Sequence, residues 1–201
     1  MQVSSKLLEQ AIQAFSSLPG IGKKTALRLS LHLLQQDKNR VNDFCSAISG
    51  MRAQIQFCQT CHNLSDSEIC IVCASHARDQ STVCVVESIR EAMAIENTQH
   101  YNGVYHVLGG LISPLDGISP QMLTIEHLVA RVQAGEIKEL IMALSPTIEG
   151  ETTIYYIHNQ IQHLPVKVSS IARGVAFGGE LEYADEITLG RSISSRVPYK
   201  G

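Results

Sequence analysis

Four cysteines within sixteen residues, Cys58-x2-Cys61-x8-Cys70-x2-Cys73, constrain this 201-residue chain more than any other feature. Each C-x-x-C can present two thiolates from one tight turn, and two such turns complete a tetrahedron around Zn2+ with sulfur at ~2.3 Å. The first residues lead into an amphipathic pattern and not into the apolar core of a secretory signal, so the expected home is the cytoplasm. Thiols stay reduced there, and paired C-x-x-C then reads as a metal site before a disulfide framework. Four thiolates leave no open coordination position. The expected ion is one structural Zn2+ per chain, with tetrahedral iron as the chemical alternative. Asn63, Ser65, Asp66 and Ser67 supply a polar return loop between the pairs. His62 and His76 flank the ligands as surface groups or as partners behind them. Cys45 and Cys84 lie in apolar stretches and read as small buried hydrophobes.

With 44% hydrophobic and 17% charged residues, the chain has enough apolar surface to bury a core, which excludes disorder and low-complexity sequence. No apolar run approaches the ~18 residues that span a bilayer, so no membrane partner is expected. The formal net charge of -3 argues, taken whole, against binding nucleic acid. Divided at the cysteines it says something else. Residues 1–57 hold seven Lys/Arg against three acids, residues 58–80 one against three, and residues 81–201 eight against thirteen. A net of +4 is followed by -2 and -5. Such asymmetry fits a nucleic-acid-facing segment on an acidic body, or an ordinary solvated surface.

Within the basic segment, Leu7, Leu8, Ala11, Ile12 and Phe15 recur at helical spacing, as do Ala26, Leu29, Leu33 and Leu34, and then Val41, Phe44, Ile48, Met51 and Ile55. Three helices are predicted. Between the first two, Leu18-Pro19-Gly20-Ile21-Gly22-Lys23-Lys24-Thr25 is too short and too glycine-rich to be anything but a tight hairpin. Gly20 and Gly22 permit positive φ and remove side chains, so amide N–H groups at the start of the next helix can face an anion. Lys23, Lys24 and Arg28 add positive charge, and the constellation suits one phosphate of a nucleic-acid backbone. It resembles the helix-hairpin-helix motif, which binds DNA without reading sequence; the structural alternative is a plain helical hairpin.

From Ser81 short β-branched runs at 82–86, 105–108, 139–144 and 166–169 alternate with helical segments at 89–97, 124–133 and 152–163. That alternation predicts a mostly parallel sheet, whose ligands gather at the carboxyl ends of strands. Two loops stand there, one with Glu87 and one at 144–152 with Glu149 and Glu151. A glutamate after strand one resembles the Toprim domain of primases, topoisomerases and nucleases, in which it works with an Asp-x-Asp pair to hold Mg2+. The corresponding strand end here reads Ser145-Pro146-Thr147, without a carboxylate, so a two-metal centre is incomplete. Glu87 is either a remnant of that site or a cap on the following helix, and a Mg2+-dependent Toprim nuclease, primase or topoisomerase is the alternative activity. Beyond the sheet, Gly178-Gly179 reads as a turn before a helix with acids first and Arg191 and Arg196 last.

The order of parts resembles the RecR family of bacterial recombination mediators over essentially the whole chain. It divides the chain into a helix-hairpin-helix region at 1–57, a four-cysteine zinc finger at 58–80, a Toprim-like α/β domain at 81–176 and a helical tail at 177–201. The resemblance implies a non-enzymatic DNA repair factor, cytoplasmic and nucleoid-associated, that acts with RecO and RecF to load recombinase on gapped DNA. It also implies a ring-like tetramer that can surround duplex. Carried over, DNA contacts fall on Lys24 and Arg28 within the Gly20, Gly22, Lys23 hairpin, and zinc ligands on Cys58, Cys61, Cys70 and Cys73. Glu87, Glu149 and Glu151 form the acidic face that would meet RecO. Lys23 stands where relatives often have proline.

Overall fold

A computed structural model describes residues 5–172, 174, 175, 178 and 180–198. The chain divides into two compact units, Met1–Ile55 and Gln56–Gly201.

The first unit is helical. α1 (Lys6–Ser16) starts at Ser5, whose hydroxyl accepts the Leu8 N–H, and α3 (Lys38–Gln54) starts at Asp37, whose carboxylate accepts the Asn39 N–H. Between them α2 (Lys23–Leu34) packs against α1. Only Ala26 and Ser30 are buried among the described residues of this unit, and the Ser30 hydroxyl donates to the Ala26 carbonyl one turn earlier (2.9 Å). All three predicted helices are present. The expected burial of Cys45 is corrected: α3 buries no residue, so Cys45 is exposed along with its neighbours Phe44 and Ile48.

The second unit opens with a small antiparallel hairpin, β1 (Gln56–Phe57) with β2 (Leu64–Ser65), followed by the single turn of α4 (Ile71–Ala74). The polar return loop predicted between the cysteine pairs is therefore partly strand. Ser65 is buried in it, and its hydroxyl accepts the Ser67 N–H (3.2 Å), which closes the bend.

The body is a four-stranded sheet in the order β4-β3-β5-β6, with every pairing parallel. Its strands are β3 (Asp79–Val86), β4 (Gly103–Val107), β5 (Glu139–Ala143) and β6 (Lys167–Ser170), and its helices α5 (Ile89–Asn97), α6 (Ile125–Gln133) and α7 (Ile148–Ile161). A parallel sheet covered on both faces needs strands that are apolar throughout. Val83-Cys84-Val85-Val86 meets that need, Val83 and Val85 joining Leu128, Leu140, Met142 and Ile157 in one layer, Cys84 and Val86 joining Ala92, Tyr105 and Val107 in the other. Cys84 is a core residue as expected, and burial pushes its thiol up to about 12.

α7 begins four residues earlier than the predicted 152–163. Thr147 caps it by accepting the Gly150 N–H (3.2 Å), and Gly150 lies so close to the Ser145 carbonyl that a Cβ there would stand 1.9 Å from the oxygen. The loop shortens accordingly, and Glu149 and Glu151 fall in the first helical turn, where the dipole favours acids. Beyond the sheet, α8 (Glu186–Ser194) starts at Asp185, which accepts the Thr188 N–H (2.9 Å), and keeps Arg191 in its last turn. Arg196 lies past the helix end, its guanidinium donating to the Ile193 carbonyl (3.3 Å). Gly178 has the positive φ of a turn (+82°), while Gly179, with Arg173, Ala176 and Phe177 of the same stretch, lies outside the described residues. Among the described residues no helix is long and apolar enough to cross a membrane.

Candidate functional site

The hairpin between α1 and α2 turns on Gly20, at φ +78°, and closes with the Ile21 N–H on the Leu18 carbonyl (3.1 Å). Among the described residues nothing lies within 4 Å of where a Cβ would stand at Gly20 or Gly22, and both glycines are exposed. α1, α3, α5, α7 and α8 each start with a side chain that satisfies an early amide. α2 starts at Gly22 with no side-chain cap and no acid in its first turn, which holds Lys23 and Lys24 instead. Cations at the positive end of a helix dipole are unfavourable on their own, and free amides there attract an anion. Lys23, Lys24 and Arg28 are exposed, and Lys24 and Arg28 stand one turn apart on a single face.

The cysteines are positioned by the hairpin and by α4. Cys58 follows β1, the turn back to β2 carries Cys61, Cys70 sits at the start of α4 and Cys73 within it. Their four sulfurs lie within 4.8 Å of one another, with the Cys61 and Cys70 Sγ atoms 3.6 Å apart. Backbone amides aim at the sulfurs, Cys70 N–H to Cys58 Sγ at 3.3 Å and Cys73 N–H to Cys70 Sγ at 3.5 Å. Burial opposes ionisation of Cys58, but the amides of Cys70, Cys61 and Thr60 outweigh it and bring the thiol down to about 7. The hydrogen bond shared with Cys73 and then burial push Cys61 up, and burial pushes Cys70 up. Four sulfurs this close cannot all be thiolates without a cation among them, and sulfur alone selects a soft tetrahedral ion. The cluster can hold a metal ion.

The Val107 N–H, at the end of β4, donates to the Cys61 carbonyl (2.8 Å), and Val72 of α4 packs against both apolar layers. Here the structure adds a group that sequence reading missed. His62 Nε2 lies 3.0 Å from Nδ1 of His127 on α6, and the His62 ring meets the His106 ring edge-on at 5.3 Å. His106 is fully buried; Nε2 lies 3.1 Å from the Thr124 carbonyl and hydroxyl, and Nδ1 has no hydrogen-bond partner among the described residues. Burial first, then the positive Arg131 nearby, brings His106 down to about 3, so the ring is neutral. A lone histidine inside the apolar run 103–107 was the available signal. His76 is exposed.

Glu87 follows β3 and is half-buried, and its carboxylate accepts the Ser145 hydroxyl just after β5 (3.1 Å). It does not cap α5, which corrects that expectation. Ser88 holds the cap, accepting the Arg90 N–H (3.2 Å), while the Glu91 carboxylate accepts the Ser88 N–H (2.8 Å). Glu149 is half-buried and Glu151 exposed. Among the described residues the cysteines are the only set of three or more His, Cys, Asp or Glu side chains converging on one ion, and Glu87, Glu149 and Glu151 do not so converge.

Three family models match the chain: "RecR, helix-hairpin-helix" over residues 8–51, "Toprim domain" over 81–172 and "RecR, C-terminal" over 174–197. Recombination protein RecR of Flavobacterium johnsoniae is 54% identical across 100% of this chain and 97% of its own length. That of Bacteroides thetaiotaomicron is 56% identical across 100% and 98%, and that of Amoebophilus asiaticus 55% across 99% and 100%. Hairpin, cysteine cluster, parallel body and tail follow in one order in a single chain, and with full-length identity above half, the chain belongs to the RecR family.

Proposed function

We propose that the chain is a DNA-binding recombinational-repair scaffold without catalysis of its own, cytoplasmic and nucleoid-associated, acting with RecO and RecF to load recombinase on gapped DNA. The observation that carries the reading is the uncapped, acid-free start of α2, with Gly20 and Gly22 open and Lys23, Lys24 and Arg28 exposed around it. Contacts of that kind go to phosphate, carry no sequence information and weaken steeply with salt. The division into parts at 1–57, 58–80, 81–176 and 177–201 belongs to the same reading. In it Cys58, Cys61, Cys70 and Cys73 hold one Zn2+, which supplies structure and no open coordination position. Glu87, Glu149 and Glu151 offer RecO an acidic face. A ring-like tetramer gathers the basic hairpins of several chains around duplex, which a chain of net charge -3 needs in order to hold a polyanion.

Lys24→Ala with Arg28→Ala tests the reading. Affinity should fall for every DNA sequence alike, and the slope of log K against log salt should flatten by about 1 per lost phosphate contact. Unchanged binding at low and moderate salt would overturn it. Absence of catalysis is supported by the strand end Ser145-Pro146-Thr147 and by carboxylates that do not converge. Mg2+-dependent nicking, priming or relaxation that disappears in Glu87→Gln would show an enzyme instead.

A further inference from the structure

α2 carries a second feature, past the turn already described. Lys24, Leu27, Arg28, Leu31, His32 and Gln35 line a surface groove of about 410 Å3. Lys24, Arg28 and His32 follow one another at four-residue steps, and Leu27 and Leu31 run beside them at the same step. At 1.5 Å of rise per residue, the lining extends about 16 Å along the helix, and Lys24, Arg28 and His32 follow at steps of about 6 Å with Gln35 about 4.5 Å beyond. Among the described residues no carboxylate lines the groove. Lys24, Arg28, His32 and Gln35 are exposed, Leu27 is half-buried, and Leu31 remains exposed although it is apolar.

A row of cationic and N–H donors beside an aliphatic row matches the profile of a sugar–phosphate strand, whose anionic oxygens and deoxyribose carbons lie on adjacent faces. Among the described residues no Phe, Tyr or Trp lines the groove, so it lacks the large rings on which single-strand platforms stack successive bases. We propose that this groove holds the backbone of one DNA strand as it leaves the hairpin, with His32 and Gln35 as contacts beyond Lys24 and Arg28. The inference rests on the DNA-binding reading of the hairpin and extends that site from one helical turn to three. Lys24 and Arg28 take phosphates near the helix start, His32 and Gln35 donate to the strand farther along, and Leu27 and Leu31 pack against its sugars.

The test uses the full-length, metal-loaded protein and a fluorescent duplex, titrated at several salt concentrations. His32→Lys adds a cation inside the groove, at a helix end where the dipole accepts one, and Gln10→Lys adds the same charge at an exposed position on α1. His32→Lys should tighten binding about fivefold or more and steepen the salt slope by about 1, with Gln10→Lys changing affinity less than about twofold. His32→Ala with Gln35→Ala should weaken binding by about three- to tenfold. Equal gains from the two lysines would reduce the effect to general charge and overturn the proposal. No loss from the double alanine variant, while Lys24→Ala with Arg28→Ala still loses binding, would overturn the groove and leave the hairpin standing. If Lys24→Ala with Arg28→Ala also changes nothing, the hairpin reading falls with it. A native mass that changes in Leu31→Glu at unaltered DNA affinity would assign the groove to a second copy of the chain, against the proposal.

Discussion

In Met1–Ile55 burial stops at Ala26 and Ser30 among the described residues, whereas Gln56–Gly201 closes two apolar layers around a parallel sheet and a third cluster around its cysteines. Leu34 in the first unit is 75% exposed, and Leu140 in the second is 0% exposed. The helical unit holds its shape through caps and local α1–α2 packing; the α/β unit holds its shape through side chains far apart in sequence. The unit whose surface is proposed to meet DNA thus keeps its groups outward, and the unit that supplies the framework turns them inward. On that reading stability and function are divided between the units.

Metal removal gives the largest contrast. Chelation, or Cys70→Ser, should unfold the segment around residues 58–73, because the free energy of binding a structural zinc, on the order of 10 kcal/mol, is also folding free energy. Hydrogen exchange should show protection lost there and in β4, which is tied to Cys61 through the Val107 amide, with α1 and α2 protected as before. Equal loss in the helical unit would break the division. Metal analysis of freshly purified, reduced protein should find one ion per chain, and finding none would refute the zinc reading.

Truncation inside the cores comes next. Leu140→Ala should cost about 2–5 kcal/mol in urea unfolding, since it opens a cavity in the largest cluster. Leu34→Ala should cost less than about 1 kcal/mol, because little area is removed from water at that position. Similar losses from the two variants would mean that Leu34 is covered in the assembled protein.

The legible parts of this chain are those whose physics is local. Helical periodicity located α1, α2 and α3, and runs of β-branched residues located the four strands of the sheet, because each signal lies within one element. The cysteine cluster was equally legible, since paired C-x-x-C turns leave the four sulfurs little freedom to diverge. What escaped depends on what lies opposite. Cys45 sits in an apolar pattern, yet among the described residues nothing buries it. The start of α7 was hidden because Gly150, which reads as a helix breaker, stands inside the helix where the nearby Ser145 carbonyl leaves no room for a Cβ. The histidine group joins positions 62, 106 and 127, which the chain order does not bring together.

His106 supplies a pH test of the inward-turned unit. Its folded pKa, about 3, lies below the ordinary value near 6.5, so the unfolded chain binds the proton more readily. The stability held by the neutral ring is complete above pH 6.5 and is lost as pH falls from there toward 3, by about 1.4 kcal/mol per unit. The groups facing this ring are His62, His127 and Arg131, all of which oppose a further positive charge. Wild type should therefore lose about 2 kcal/mol more than His106→Phe between pH 6.5 and 4.5. Parallel stability curves for the two proteins would show that the ring takes its proton without unfolding the sheet.

The smallest effect makes the cleanest comparison, because the same device occurs in both units. Ser5 caps α1 and Ser88 caps α5, each by accepting an early amide on a side-chain oxygen, and removing either cap should cost about 1 kcal/mol. In the α/β unit that loss should appear as a lower global midpoint, since α5 packs on β3 and β4 and cannot fray without disturbing the layer of Val86, Ala92 and Tyr105. In the helical unit it should appear only locally, as faster hydrogen exchange in the first turn of α1, whose residues bury nothing that the rest of the chain depends on. A global shift from Ser5→Ala equal to that from Ser88→Ala would show that the two units unfold as one, and the division of labour drawn from their burial would fail.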